Sequence, residues 1–175
     1  MVNTDYQIEA IQELLNEDCI LTRYYPLIPY KLLLIKYFKA MGCRVKSDCL
    51  KLSDEALMSA GLPNIEEVNL FRGFLTMYDV NPRKFKEIDS VSRTPEEVEA
   101  FKQIYHLPGV KSTRANLYYK SGFTSLDAIA SSTPEEIRKR TEELIEKEKL
   151  NLKVPLMKEI KTHIAVAKAF INQLN

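Results

Sequence analysis

Glycine occurs only five times in 175 residues, and four of the five stand where one amphipathic run stops and another starts. Gly42 follows "YKLLLIKYFKAM", Gly61 follows "SDEALMSA", Gly109 lies inside "HLPGVKSTRANLYY", and Gly122 divides "NLYYKS" from "FTSLDAIA". Glycine is poorly suited to a helix interior and well suited to the left-handed turn that ends one. Glycine this scarce, placed this way, predicts an all-α chain: a helical bundle with short turns and no sheet beyond a trivial strand pair.

The apolar spacing says where the helices fall. Residues 4–17 put Ile8, Ile11, Leu14 and Leu15 on one face, with Thr4 or Asp5 as N-cap. Residues 30–41 present Leu33, Leu34, Tyr37, Phe38 and Met41. A short helix over 53–61 starts from Ser53. A longer one over 64–80 repeats through Ile65, Val68, Phe71, Leu75 and Tyr78, and Pro82 opens a short helix to about Ile88. "TPEE" occurs twice, at 94–97 and 133–136, each time as threonine cap, proline at the first helical position and glutamates over the positive end of the helix dipole. The run "RKRTEELIEKEK" reads as a solvated helix. The last helix opens at Pro155, with a stripe of Leu156, Ile160, Ile164, Ala167, Phe170 or Ile171, and Leu174. That stripe closes a core or, on a sharper alternative, forms a dimer face.

The polar stretch "EIDSVSRT", residues 87–94, is the best boundary. It divides the chain into an N-terminal helical subdomain, 1–90, and a C-terminal one, 91–175. A local repeat relates the two when Gly61 is aligned with Gly122, pairing Leu57 with Tyr118, Leu62 with Phe123, Ile65 with Leu126 and Val68 with Ile129.

Charge narrows the partners. The formal net charge is +1, which excludes a global basic field and leaves only a local patch for nucleic acid. Three cysteines, Cys19, Cys43 and Cys49, have no CxxC spacing and follow no secretory leader; a reducing cytoplasm is expected, with the thiols as small core residues. The most apolar run, residues 24–38, is broken by Pro26 and Pro29 and charged by Lys31 and Lys36. No membrane partner is expected. With two histidines (His106 and His163) and no HExxH, phosphate loop or GxSxG, no catalytic residue, metal or cofactor is expected either.

From Phe101 to Ser125 the chain carries Lys102, Lys111, Arg114 and Lys120 and no acid. Within that window, "LPGVKSTRANLYYKSGFTSLDAIA", residues 107–130, resembles a helix-hairpin-helix unit, as in uncharacterised bacterial proteins with tandem hairpins. The resemblance implies a hairpin whose backbone amides and cations hold a nucleic-acid phosphate without reading sequence. Its site residues would be Gly109, Val110, Lys111, Ser112, Arg114 and Lys120. Leu107, Val110, Ala115 and Leu117 or Tyr118 would anchor the helices, and Tyr119 could stack on a base. Lys111 departs from the pattern, standing where the second glycine belongs.

A similar "LPGV" turn occurs in base-excision glycosylases, which the window also resembles. Their catalytic lysine would fall at Thr113, and "IKTHI", residues 160–164, has Lys161 where their acid would stand, so that chemistry is not expected. Two functional readings follow. One is a non-enzymatic module binding DNA or RNA backbone. The other is a helical protein–protein interaction scaffold in which the hairpin is a structural joint.

Overall fold

Short polar side chains start the helices and glycines stop them, much as the sequence predicts. The computed structural model describes residues 2–89 and 93–171. The described residues form α1 (Ile11–Leu14), α2 (Lys31–Ala40), α3 (Lys46–Leu50), α4 (Asp54–Ser59), α5 (Ile65–Thr76), α6 (Lys86–Asp89), α7 (Pro95–Ile104), α8 (Ser112–Lys120), α9 (Leu126–Ala130), α10 (Pro134–Glu148) and α11 (Met157–Ile171). Tighter 3-10 turns occupy Ile8–Ala10, Thr22–Tyr30 and Pro82–Phe85. The fold is all-α: among the described residues there is no strand, and one isolated bridge joins Gln7 to Val45.

Ser53, Asn64, Thr94, Ser125 and Thr133 each accept a hydrogen bond from the amide three residues on, at 3.0–3.2 Å. Each satisfies one of the donors that a helix start leaves open. At the other ends, α2, α4 and α8 close in one pattern. Cys43, Leu62 and Phe123 return their amides to the carbonyls of Phe38, Leu57 and Tyr118, at 2.9, 3.4 and 2.9 Å. The glycine before each has a positive φ, as this cap requires. α10 ends likewise, but its left-handed residue is Lys149, at φ 52°.

The element order reveals a longer repeat than the sequence suggests. α3 and α9 start and end eighty positions apart, and α2 and α8 end eighty apart. The pairs Gly42/Gly122, Phe38/Tyr118, Cys49/Ile129 and Ser53/Thr133 keep that spacing. The expected match of Gly61 to Gly122 reflects only the shared cap, because any two such helix ends look alike over a few residues. The eighty-residue register carries on through three consecutive helices.

The core is one continuous apolar cluster from Tyr6 to Phe170. In the first copy Phe38, Phe71, Phe74 and Tyr24 stack or meet edge to face at 5.7–6.0 Å. α11 lies at the centre, packed on α9 and α10 and also on α1. From His163 to Phe170 only Lys168 is exposed, so the second half of this helix is buried nearly all round and not on one stripe. Phe170 is buried beside His106, which removes it as a dimer face, whereas Leu156 is exposed.

Other expectations change for local reasons. Residues 4–17 do not form one helix. Asp5 accepts from the amide and hydroxyl of Ser47, and the Ile8 amide bonds to Arg44 O, so this segment is drawn out along residues 44–47. α3 was not anticipated; the carboxylate of Asp48 accepts from the Arg44 and Val45 amides and starts it. Those bonds hold the Asp48 carboxyl below its ordinary range. Ile65 begins α5 exposed and not in the core. Leu174 and the middle of the 87–94 boundary, residues 90–92, lie outside the described residues.

Two substitutions test the helix-end account. Lys149→Gly relieves a left-handed lysine and should raise stability by about 0.5 kcal/mol. Gly122→Ala should lower it by about 1–2 kcal/mol, because φ is +98° and the new Cβ would sit 3.1 Å from Arg140 Nη1. Urea midpoints at neutral pH measure both.

Candidate nucleic-acid interface

α8 starts differently from its neighbours. Its N-cap is Lys111, extended at φ −128° and ψ −163°, and no side chain caps the helix. The amides of Ser112, Thr113 and Arg114 are therefore open donors at the positive end of a nine-residue helix, and no described residue accepts from them.

The turn before them is fixed from below. Leu107 and Val110 are fully buried, while Gly109 between them is exposed. Gly109 has φ +73°, and a Cβ there would meet nothing, so the glycine serves backbone conformation and leaves an open surface above it. Lys84 Nζ donates to Leu107 O at 3.0 Å. His163 Nε2 lies 3.0 Å from Pro108 O, and its Nδ1 is 2.6 Å from the Tyr118 hydroxyl.

The chemistry of those partners assigns the tautomer. A carbonyl only accepts, so Nε2 carries the proton and donates to Pro108. Nδ1 then offers its lone pair to the Tyr118 O–H. Burial pushes His163 down to about 4, against smaller upward pulls from the Pro108 bond and the Glu159 charge. Burial likewise keeps the Tyr118 phenol protonated.

The six expected site residues separate into groups. Gly109, Lys111 and Ser112 meet at the turn, with Lys111 exposed. Val110 is core. Arg114 leans back on α11, where Nε and Nη2 donate to the two carboxylate oxygens of Glu159 at 3.1 and 3.3 Å, and its side chain is 23% exposed. Lys120 stands in the last turn of α8, about 12 Å along the helix from its start.

Lys84 is the cation that sequence reasoning missed. It lies in the Pro82–Phe85 turn, and its ammonium is pushed down by burial and then by the charge of Lys111. Beside it, residues 77–81, 84 and 106–109 line a groove of about 200 Å³. Its only sequence signal was a lysine just after a capped turn.

Tyr118 is buried as an anchor, and Tyr119 is half-buried against Phe101 at 6.1 Å. His106 is a half-buried helix-end residue whose Nδ1 contacts Gln103 O at 3.2 Å and whose ring packs on Phe85. Elsewhere, burial raises all three free thiols. Among the described residues no cluster of His, Cys, Asp and Glu could hold a metal, and no helix is long and apolar enough to cross a membrane.

A family model described as "Domain of unknown function (DUF4332)" matches residues 74–170, more than half of the chain. The chain belongs to the DUF4332 family. Comparison with curated proteins and with solved structures gives no match. The DUF4332 region runs from the end of α5 into α11 and contains the α7–α8 turn, Lys84, His163 and the second copy of the repeat. It leaves α2, α3 and α4 outside.

The buried imidazole makes the DUF4332 turn sensitive to pH. The folded-state pKa of His163 lies below its unfolded value, so neutral His163 stabilises the fold fully above about pH 6.5, and this contribution is lost as pH falls toward 4. His163→Gln keeps an N–H for Pro108 and cannot titrate. The difference in urea stability between wild type and variant should shift by roughly 2 kcal/mol against the wild type between pH 7 and pH 4.5. Parallel curves for the two proteins would contradict the assignment.

Proposed function

We propose that this protein is a non-enzymatic module that binds the phosphate backbone of DNA or RNA, without sequence specificity, through a helix-hairpin-helix-like turn between α7 and α8. The uncapped start of α8 carries the reading: its open amides stand beside exposed Lys111 and exposed Gly109. A phosphate oxygen accepts from such amides and gains from the helix dipole. Lys111 and Lys84 supply the nearby positive charge, while Arg114, tied to Glu159, orients α8 on α11. Contacts of this kind position a backbone and carry no base readout.

The pinning of Leu107 O and Pro108 O by Lys84 and His163 favours a second reading. In it the turn is a joint in a helical protein–protein interaction scaffold.

Binding to random duplex and single-stranded DNA across a salt series separates the readings. With Lys84 and Lys111 neutralising two phosphates, log affinity should fall against log salt with a slope of about −2. Lys111→Glu should weaken binding about tenfold or more at low salt. Ser112→Pro removes one amide at the first helical position, where proline fits, and should cost about three- to tenfold with little change in melting temperature. Wild-type protein that binds neither DNA nor RNA at low salt leaves the turn as a joint.

A further inference from the structure

Between Asp18 and Asp48 the chain has no acidic residue, and it carries Arg23, Lys31, Lys36, Lys39, Arg44 and Lys46. A chain of net charge +1 therefore holds a local excess of positive charge outside the α7–α8 turn. α2 runs through the middle of that stretch. Its inward face is Leu34, Ile35 and Phe38. At about 100° per residue, Leu33, Ala40, Lys36, Leu32 and Lys39 follow one another round about 120° of the opposite face, with Lys36 at the middle. All of them are exposed.

The leucines are the unusual members. Leu32 is 65% exposed and Leu33 57%, and Met41, just past the helix end, is 54% exposed. Adjacent aliphatic side chains left in water mark a contact surface. Lys36, between the two leucines, forms no ion pair among the described residues. Lys39 reaches Glu9 at 3.8 Å, with both side chains about half exposed, so water screens that pair. Lys31 and Lys46 are engaged elsewhere: Lys31 donates to Gln12 O at 3.2 Å, and Lys46 is buried against Asp79. Glu55 on α4 and Glu66 on α5 are exposed acids, so the face is confined to α2.

Such a face needs a partner that offers anionic groups and hydrocarbon together. A nucleic-acid backbone would meet the lysines and leave the leucines in water. An anionic bilayer meets both, since headgroup phosphates and carboxylates lie at the surface and acyl chains just below them. The four-carbon stem of Lys36 spans that step, lying along the leucines while its ammonium stays among the headgroups. The lysines and prolines that break residues 24–38 as a membrane span do not oppose this arrangement. α2 has only to rest on the surface, not to cross it.

We propose that the solvent face of α2 docks on an anionic lipid surface. Leu32 and Leu33 enter the headgroup layer, and Lys36 pairs with lipid phosphate or carboxylate. The face shares no residue with the α7–α8 turn and does not depend on what that turn binds.

Flotation of the full chain with vesicles tests the surface. Vesicles of phosphatidylcholine and phosphatidylserine in a three-to-one ratio should carry the wild type at low salt. Vesicles of phosphatidylcholine alone should carry far less. Leu32→Ser with Leu33→Ser should weaken binding about tenfold or more, with helix content by circular dichroism unchanged. Lys36→Gln should weaken it about fivefold. Wild-type protein that floats with neither kind of vesicle overturns the proposal, as does binding that is indifferent to phosphatidylserine. Vesicle binding that survives the leucine substitutions overturns it too. Lys36→Gln protein that loses binding to random duplex DNA, and not to vesicles, would instead assign the face to nucleic acid.

Discussion

The imidazole of His163 has one proton to give and one lone pair to offer, and its surroundings use both. From His163 to Phe170 α11 is buried on almost every side, so any polar side-chain atom it carries there must find a partner or raise the energy of the fold. Pro108 O and the Tyr118 hydroxyl are those partners. The bonds tie three separate pieces together: the central helix, α8, and the turn that precedes α8. The same helix also reaches the first half of the chain. Thr162 donates to Cys19 O at 2.8 Å, and Phe170 O accepts from the Asn3 amide at 2.9 Å. The position of the α7–α8 turn, and with it the direction of the open amides, thus depends on a helix that begins some fifty residues later.

The two copies of the repeat place similar demands on the backbone and different ones on the surface. In each, a helix closes on glycine, a buried residue follows (Cys43 or Phe123), a short helix buries its fourth residue (Cys49 or Ile129), and a hydroxyl caps the next helix. Ahead of that unit they diverge. The first copy enters α2 through the 3-10 stretch Thr22–Tyr30, with two prolines inside it and an amide chain that runs straight into the helix. The second enters α8 through Pro108, exposed Gly109 and an extended Lys111, which breaks the hydrogen-bond ladder and leaves the first amides open. One difference in the entry, not in the repeat itself, separates a continuous helix from a start that faces solvent.

Helix ends were legible in the sequence because their physics is local. Thr94 and Thr133 meet amides three residues away, and Gly42, Gly61 and Gly122 act within one turn. The features that escaped all depend on distant partners. Residues 4–17 have helical spacing, but Asp5 and Ile8 find partners at Ser47 and Arg44. Arg114 reads as a free cation because nothing near it in sequence is acidic, and the carboxylate that holds it is 45 residues on. Lys84 reads as surface charge, yet its ammonium completes the end of α7 across 23 residues. His163 was one of two unremarkable histidines, and its bonds span 45 and 55 residues. Of the candidate site, the turn and Lys111 were visible in advance. Its support was not.

That support also sets the local electrostatics. With Arg114 neutralised by Glu159, the positive charge beside the open amides comes from Lys111 and the partly buried Lys84. These two repel: Lys84 is pushed down first by burial and then by the Lys111 charge, with Glu87 the opposing influence. Lys84 cannot swing away without releasing the Leu107 carbonyl. An anion seated at the start of α8 would lower this repulsion and accept the unused amides at once, whereas a cation would meet two like charges and a helix dipole of the wrong sign. The arrangement would thus favour an anion over a cation even though the chain as a whole is close to neutral. Net charge over 175 residues carries little information about a site built from two lysines and three amides.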